Sequence, residues 1–167
     1  MLTGLLLVTS GTAMLMDLRT MKVDNGWLLF MLVPGFLTRL LTEGISSVPD
    51  FLMGMLLPFF LLIGLFYFHM LGAGDIKLLC VLGGMTGVRG AGILMLCTLF
   101  LGGIFAFFFL LFYGGVRERF RYFFSYVRDC VQNGEVRPYY QQGPRLENFH
   151  FTVPIFLGTL LYAGGLF

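Results

Sequence analysis

Two carboxylates in this sequence are placed where chemistry could use them. Asp17 closes a run of sixteen mostly apolar residues, and Asp75 stands in GAGDIK (72–77), between two long apolar runs. An ionisable group near a hydrocarbon boundary is costly unless it is paired or functional. Either aspartate alone could be an interfacial charge that marks a helix end. Together they can do more. If the helices that carry them pack, the two carboxylates approach, and two close carboxylates do not both ionise easily. The ionised member can then take a proton from water while the protonated member polarises a carbonyl. That chemistry hydrolyses a peptide bond without a metal or a covalent intermediate. Gly72 and Gly74 suit such a site, because a residue without Cβ lets a substrate backbone come close. Lys77, two residues beyond Asp75, could tune the ionised partner, anchor lipid head groups or follow a charge bias of the loops. His69, near the end of the preceding apolar run, reads more readily as structural than catalytic.

The elements that must position these groups are transmembrane helices. The chain has 167 residues, 57% of them hydrophobic and 12% charged, against roughly 25% charged in a soluble domain. Twenty Phe and the many Leu exceed what a soluble core of this size can hide, so an all-α polytopic membrane helix bundle forming one domain, 1–167, is expected. The start resembles a signal peptide but lacks a basic leading region and a small-x-small cleavage site, and is read as a retained helix. Six apolar segments fall near 2–16, 27–41, 51–71, 76–88, 90–115 and 149–167. The fourth is short of the roughly 20 residues a spanning helix needs, and its glycines, Gly83, Gly84 and Gly87, with Gly90 and Gly92 beyond, would let helices approach closely. Pro34, Pro58 and Pro154 fall inside these segments.

If every segment crosses, Arg19, Lys22, Lys77 and the six arginines of 116–148 share one side, nine of the eleven Lys and Arg. The positive-inside rule makes that side cytoplasmic, with both termini outside and both aspartates at the cytoplasmic face of a multi-pass protein of the cell membrane. Glu43 and Asp50, in the opposite loop, read as ordinary solvated charges. Segment 116–148 reads as an amphipathic start followed by a solvated loop. The basic residues lie in short loops beside apolar spans, which gives nucleic-acid binding no support. Three cysteines without a CxxC pair imply neither a disulfide framework nor a zinc site. No feature bears on oligomeric state.

At this point the residues resemble a known family. GAGDIK is similar to the GxGDxK signature of the type IV prepilin peptidases, membrane aspartyl proteases that include the archaeal preflagellin peptidases. DLRTMKVDN (17–25) resembles the family's D-x-x-x-x-x-I-P-N stretch after the first span, with Val23 at the Ile, Asn25 at the Asn and Asp24 in place of the Pro. The resemblance implies Asp17 and Asp75 as the catalytic pair, with Gly72, Gly74, Lys77, Asn25 and Lys22 shaping the site, and no metal or cofactor. It implies prepilin-like membrane substrates, cut between a short basic leader and an apolar helix at the cytoplasmic membrane boundary, typically after a glycine. The CxxC-bearing methylating domain of larger members has no counterpart in these residues, so the resemblance is to peptidase-only members that serve Tad or Flp-type pili, pseudopili or archaella. The family's aspartates are thought to come together by helix movement.

Other classes remain open on the residues alone. A small ion- or proton-coupled transporter would need polar groups deep in its helices, for which Thr9, Ser10, Thr12 and Thr98 are the candidates. A catalytically silent scaffold for pilus assembly and a presenilin-like intramembrane protease are the others.

Overall fold

Inside hydrocarbon a backbone must satisfy its own hydrogen bonds, so long apolar runs become helices. The computed structural model describes residues 1–67, 71–113, 121, 124, 125, 128 and 150–165. Among these the elements are helical: α1 (Leu2–Thr20), α2 (Asn25–Glu43), α3 (Ser47–Tyr67), α4 (Ala73–Tyr113) and α5 (Thr152–Ala163). His69 and most of segment 116–148 lie outside the described residues. Three helices are long and apolar enough to cross a membrane, Asn25–Glu43, Ser47–Tyr67 and the part of α4 over Ala73–Phe108, and α5 is a shorter apolar helix.

The helix ends have local causes. α1 stops at Met21, which takes a left-handed conformation (φ 54°) while its N–H donates to the Asp17 carbonyl at 2.8 Å. α2 starts at Asp24, whose carboxylate accepts from the backbone N–H of Gly26 (3.3 Å) and Trp27 (3.2 Å). An aspartate is among the best residues for that N-cap, which explains how the loop accommodates Asp24. Pro34 and Pro58 sit inside α2 and α3. Pro154 does not interrupt a span: it lies in the first turn of α5, where its missing N–H would have had no partner in the helix anyway.

The fourth and fifth apolar segments, expected as separate, follow one another in α4 as two helical arms parted by a non-helical break at Gly87 (φ 75°, ψ 178°). A Cβ on Gly83 would stand 3.1 Å from the Cβ of Ala91. Eight residues of straight helix would separate the two by about 12 Å, so the chain folds back on itself at Gly87. The first arm, 73–86, is the centre of the molecule. Leu78, Leu79, Leu82 and Met85 are buried on it, against Leu6 and Ala13 of α1, Met31 of α2 and Ile155 of α5. The outward faces carry exposed Leu29, Phe30, Phe60, Leu96 and Phe100, as a lipid-facing surface would.

Close packing of the first arm on α3 depends on two glycines. A Cβ on Gly54 or Gly83 would run into the carbonyl oxygen of the other, and small residues are what allow such a crossing. Gly92, by contrast, faces open space. Gly83→Ala is expected to destabilise the protein by about 2 kcal/mol, read as a lower thermal transition in detergent. An unchanged transition would mean that α3 and α4 do not approach this closely.

The turn at Gly87 is held by charges that remain partly solvated, Glu43 at 48% and Asp50 at 44% exposure, but that also bond Arg39. Asp50 Oδ1 accepts from the Val88 N–H (3.1 Å), capping the second arm, and Asp50 Oδ2 accepts from Arg39 Nη1 (2.9 Å). Arg39 is only 7% exposed, and its Nη2 also pairs with Glu43. A buried guanidinium requires such partners, and the first N–H of a helix arm requires an acceptor. This cluster anchors the end of the first arm, about 20 Å along the helix from Asp75.

Candidate active site

Asp17 and Asp75 are brought to one end of the bundle by the last turn of α1 and the first turn of α4. Asp75 folds back on the residue that precedes its helix. The Gly72 backbone N–H donates to its carboxylate, and the Gly72 carbonyl accepts from the Ile76 N–H at 3.3 Å. That contact alone would make Asp75 a helix-capping residue. Asp17 makes the position more than that, because its charge acts directly on Asp75, and an acidic pair gains nothing for a cap.

Asp17 is held from the far end of the sequence. Its Oδ2 lies 2.9 Å from His150 Nδ1 and accepts from Thr152 Oγ1 at 2.7 Å. Thr152 opens α5 and His150 stands two residues before it, 135 and 133 positions from Asp17. The Asp17 and His150 side chains are 15% and 22% exposed, so the contact is neither sealed off nor open to bulk water. His150 also acts electrostatically on Asp75, so one constellation joins Asp17, Asp75, His150 and Thr152. Neither residue was legible as part of a site. The available signal was positional: His150 is one of two histidines and begins the last apolar segment, on the face to which strict alternation assigns both aspartates.

The loop after α1 lies across the start of α4. A Cβ on Gly74 would meet Val23 at 3.6 Å, and Lys77 Nζ donates to Asn25 Oδ1 at 3.0 Å across 52 positions. Both residues of that bond are exposed. The ammonium of Lys77 is therefore engaged with the Asn25 amide oxygen, which ties the two halves of the motif pair together at their rim. Lys22 is exposed, and among the described residues its hydrogen bond is through its carbonyl, from Thr20 Oγ1 at 3.0 Å. Its side chain is not brought to the carboxylates.

The deep hydroxyls that a proton or ion path would use are mostly turned inward on their own helix. Thr9, Ser10 and Thr12 donate to the carbonyls of Leu5 (2.8 Å), Leu6 (2.8 Å) and Val8 (2.6 Å), the usual way a helix satisfies them. Thr98 Oγ1 is buried without a hydrogen-bond partner among the described residues. Among those residues there is also no group of three or more His, Cys, Asp or Glu arranged to hold a metal ion.

Comparison with known families returns one match. The model of the type IV leader peptidase family aligns with residues 4–111, which include both aspartates and both stretches that form the rim. Curated proteins and solved structures returned no match.

Proposed function

The chain belongs to the type IV leader peptidase family, and from that premise we propose that it is a membrane aspartyl endopeptidase that removes the leader of type IV prepilin-like proteins. The observation that carries this reading is the meeting of Asp17 and Asp75 at one end of the bundle, each on a helix end and each already oriented by a neighbour. In the proposed reaction one carboxylate accepts a proton from water as the water oxygen bonds to the scissile carbonyl carbon. The other donates its proton toward the carbonyl oxygen. Collapse of the tetrahedral intermediate breaks the C–N bond, and the leaving amine takes a proton from the pair. The rate then falls on the acid side, when both carboxylates are protonated, and on the alkaline side, when both are ionised. The two limbs belong to the pair jointly.

The single-domain reading of 1–167 and the cytoplasmic orientation of the site are part of the same proposal. Orientation rests on the side that nine of the eleven basic residues share with the aspartates if all six apolar segments cross. Substrates are membrane proteins with a basic leader followed by an apolar helix, which brings the scissile bond to the membrane boundary where the pair lies. The inward-bonded hydroxyls of α1 weigh against a transport path.

The test is co-expression with prepilins from the same genome, followed by N-terminal sequencing of the products. Cleavage at the leader boundary is expected, and EDTA is expected to leave the rate of the purified enzyme unchanged. Uncleaved prepilin in the presence of well-folded protein would remove the peptidase reading, and a loss of rate with EDTA that added divalent metal restores would replace the two-carboxylate mechanism.

A further inference from the structure

We propose that His150 and Thr152 are positioning residues of the reaction, a donor clamp that fixes Asp17 as the proton-accepting member of the pair. The proposal rests on the reading of Asp17 and Asp75 as a water-activating pair. Three observations support it.

The first is convergence on a single atom. His150 Nδ1 at 2.9 Å and Thr152 Oγ1 at 2.7 Å both meet Oδ2 of Asp17. Two contacts to one oxygen stop the carboxyl group from rotating. Oδ1 is left without a hydrogen bond among the described residues, available to a water. Fixing a reacting oxygen in this way is how supporting residues raise a rate.

The second is the direction of the donors. A ring nitrogen at 2.9 Å from a carboxylate oxygen must share a proton with it, since two bare acceptors would repel. With the shared proton on Nδ1, the imidazole and the Thr152 hydroxyl both donate to one carboxylate, which favours its charged form. Among the described residues Asp75 has one backbone donor, from Gly72, and it faces the charge of Asp17. The division of donors makes Asp17 the base and leaves Asp75 to carry the shared proton. Among the described residues, the other charged groups near this end are engaged elsewhere or, like Lys22, exposed. Lys77 is bonded to Asn25, Asp24 caps α2, and Arg19 is exposed in the last turn of α1.

The third is a choice made by Thr152. It is fully buried in the first turn of α5, a helix whose N-terminus has no side-chain cap. A threonine at a helix start commonly bonds its own helix. This one turns its hydroxyl to a helix 135 positions away.

A plain tie between α1 and α5 would change stability alone, so the readout is kinetic. With purified protein and a prepilin substrate, Thr152→Val and His150→Ala are each expected to lower kcat by about 10- to 100-fold with KM within about twofold. Each substitution removes a donor from the carboxylate pair, and loss of such donors favours the protonated form of a carboxylate. The acid limb of the rate profile, which belongs to the pair, should therefore move to higher pH. Thr152→Ser, which keeps the hydroxyl, should recover most of the rate and the original limb. Wild-type rates and an unmoved limb in Thr152→Val and His150→Ala, beside inactive Asp17→Asn and Asp75→Asn, would overturn the clamp and leave the peptidase intact. A loss of rate that follows a lowered thermal transition, with the acid limb unmoved, would also overturn it. An inactive wild type would remove both readings together.

Discussion

Asp17→Asn and Asp75→Asn are each expected to reduce leader cleavage by about 10³-fold or more, as the loss of a general acid or base does. The double variant should fall no further than the worse single one, because the two groups act as a unit. Asparagine keeps the size of the side chain and one acceptor oxygen, so Thr152 can still donate to position 17 and Gly72 to position 75. Folding should therefore survive, and elution and thermal behaviour in detergent serve as the control. The measurement is the fraction of prepilin processed over time by equal amounts of each protein. Substantial cleavage by either single variant would reject the two-carboxylate mechanism even if the wild type is an active peptidase.

Gly72→Ala should cost about 100-fold in kcat with little change in stability. The new Cβ would stand 2.9 Å from Asp75 Oδ2, too near to remain. The atom that must move is the tip of a flexible side chain, so the displacement is cheap for the fold. It falls, however, on a proposed reacting oxygen, and a misplacement of about 1 Å there is expensive for the rate. Gly72 is not in the left-handed region, so its requirement for glycine is one of space rather than of backbone freedom. The neighbouring glycine reports something different. Among the described residues the nearest to a Cβ on Gly74 is Val23, at an ordinary 3.6 Å, so a rate loss in Gly74→Ala would come from the approach of the substrate. A Gly72→Ala enzyme as fast as wild type would mean that Asp75 adopts another rotamer for the reaction.

These predictions share one geometric theme. Each aspartate sits at a helix end, where the backbone or a neighbouring segment supplies donors. Their partners are fixed by packing at both ends of the first arm of α4. At one end the Gly72 turn and the loop over Gly74 hold Asp75. At the other, Arg39 and Asp50 hold the reversal at Gly87. A change in the tilt of that arm would be felt at Asp75.

What could be read without a structure was whatever depends on neighbours along the chain. Composition and unbroken apolar runs place the helices, because a helix in lipid needs only its own backbone and a greasy surface. The ends of those runs place Asp17 and Asp75, and the two short motifs around them pointed to the family that the match over 4–111 supports. Tertiary structure alone decided which ends meet and what they hold. Hydropathy says where a segment enters the membrane, but it does not say which face it turns to its neighbours, since every face is apolar. Thus Asp50 and Glu43, about half exposed as their position suggested, also bond a buried Arg39, and the two segments expected as separate helices meet in a sharp reversal at Gly87. Lys77 found Asn25 across 52 positions, and Asp17 found His150 and Thr152 across 133 and 135. Such contacts come from packing between distant helices, and hydrogen-bond partners chosen by packing leave no local pattern in the sequence.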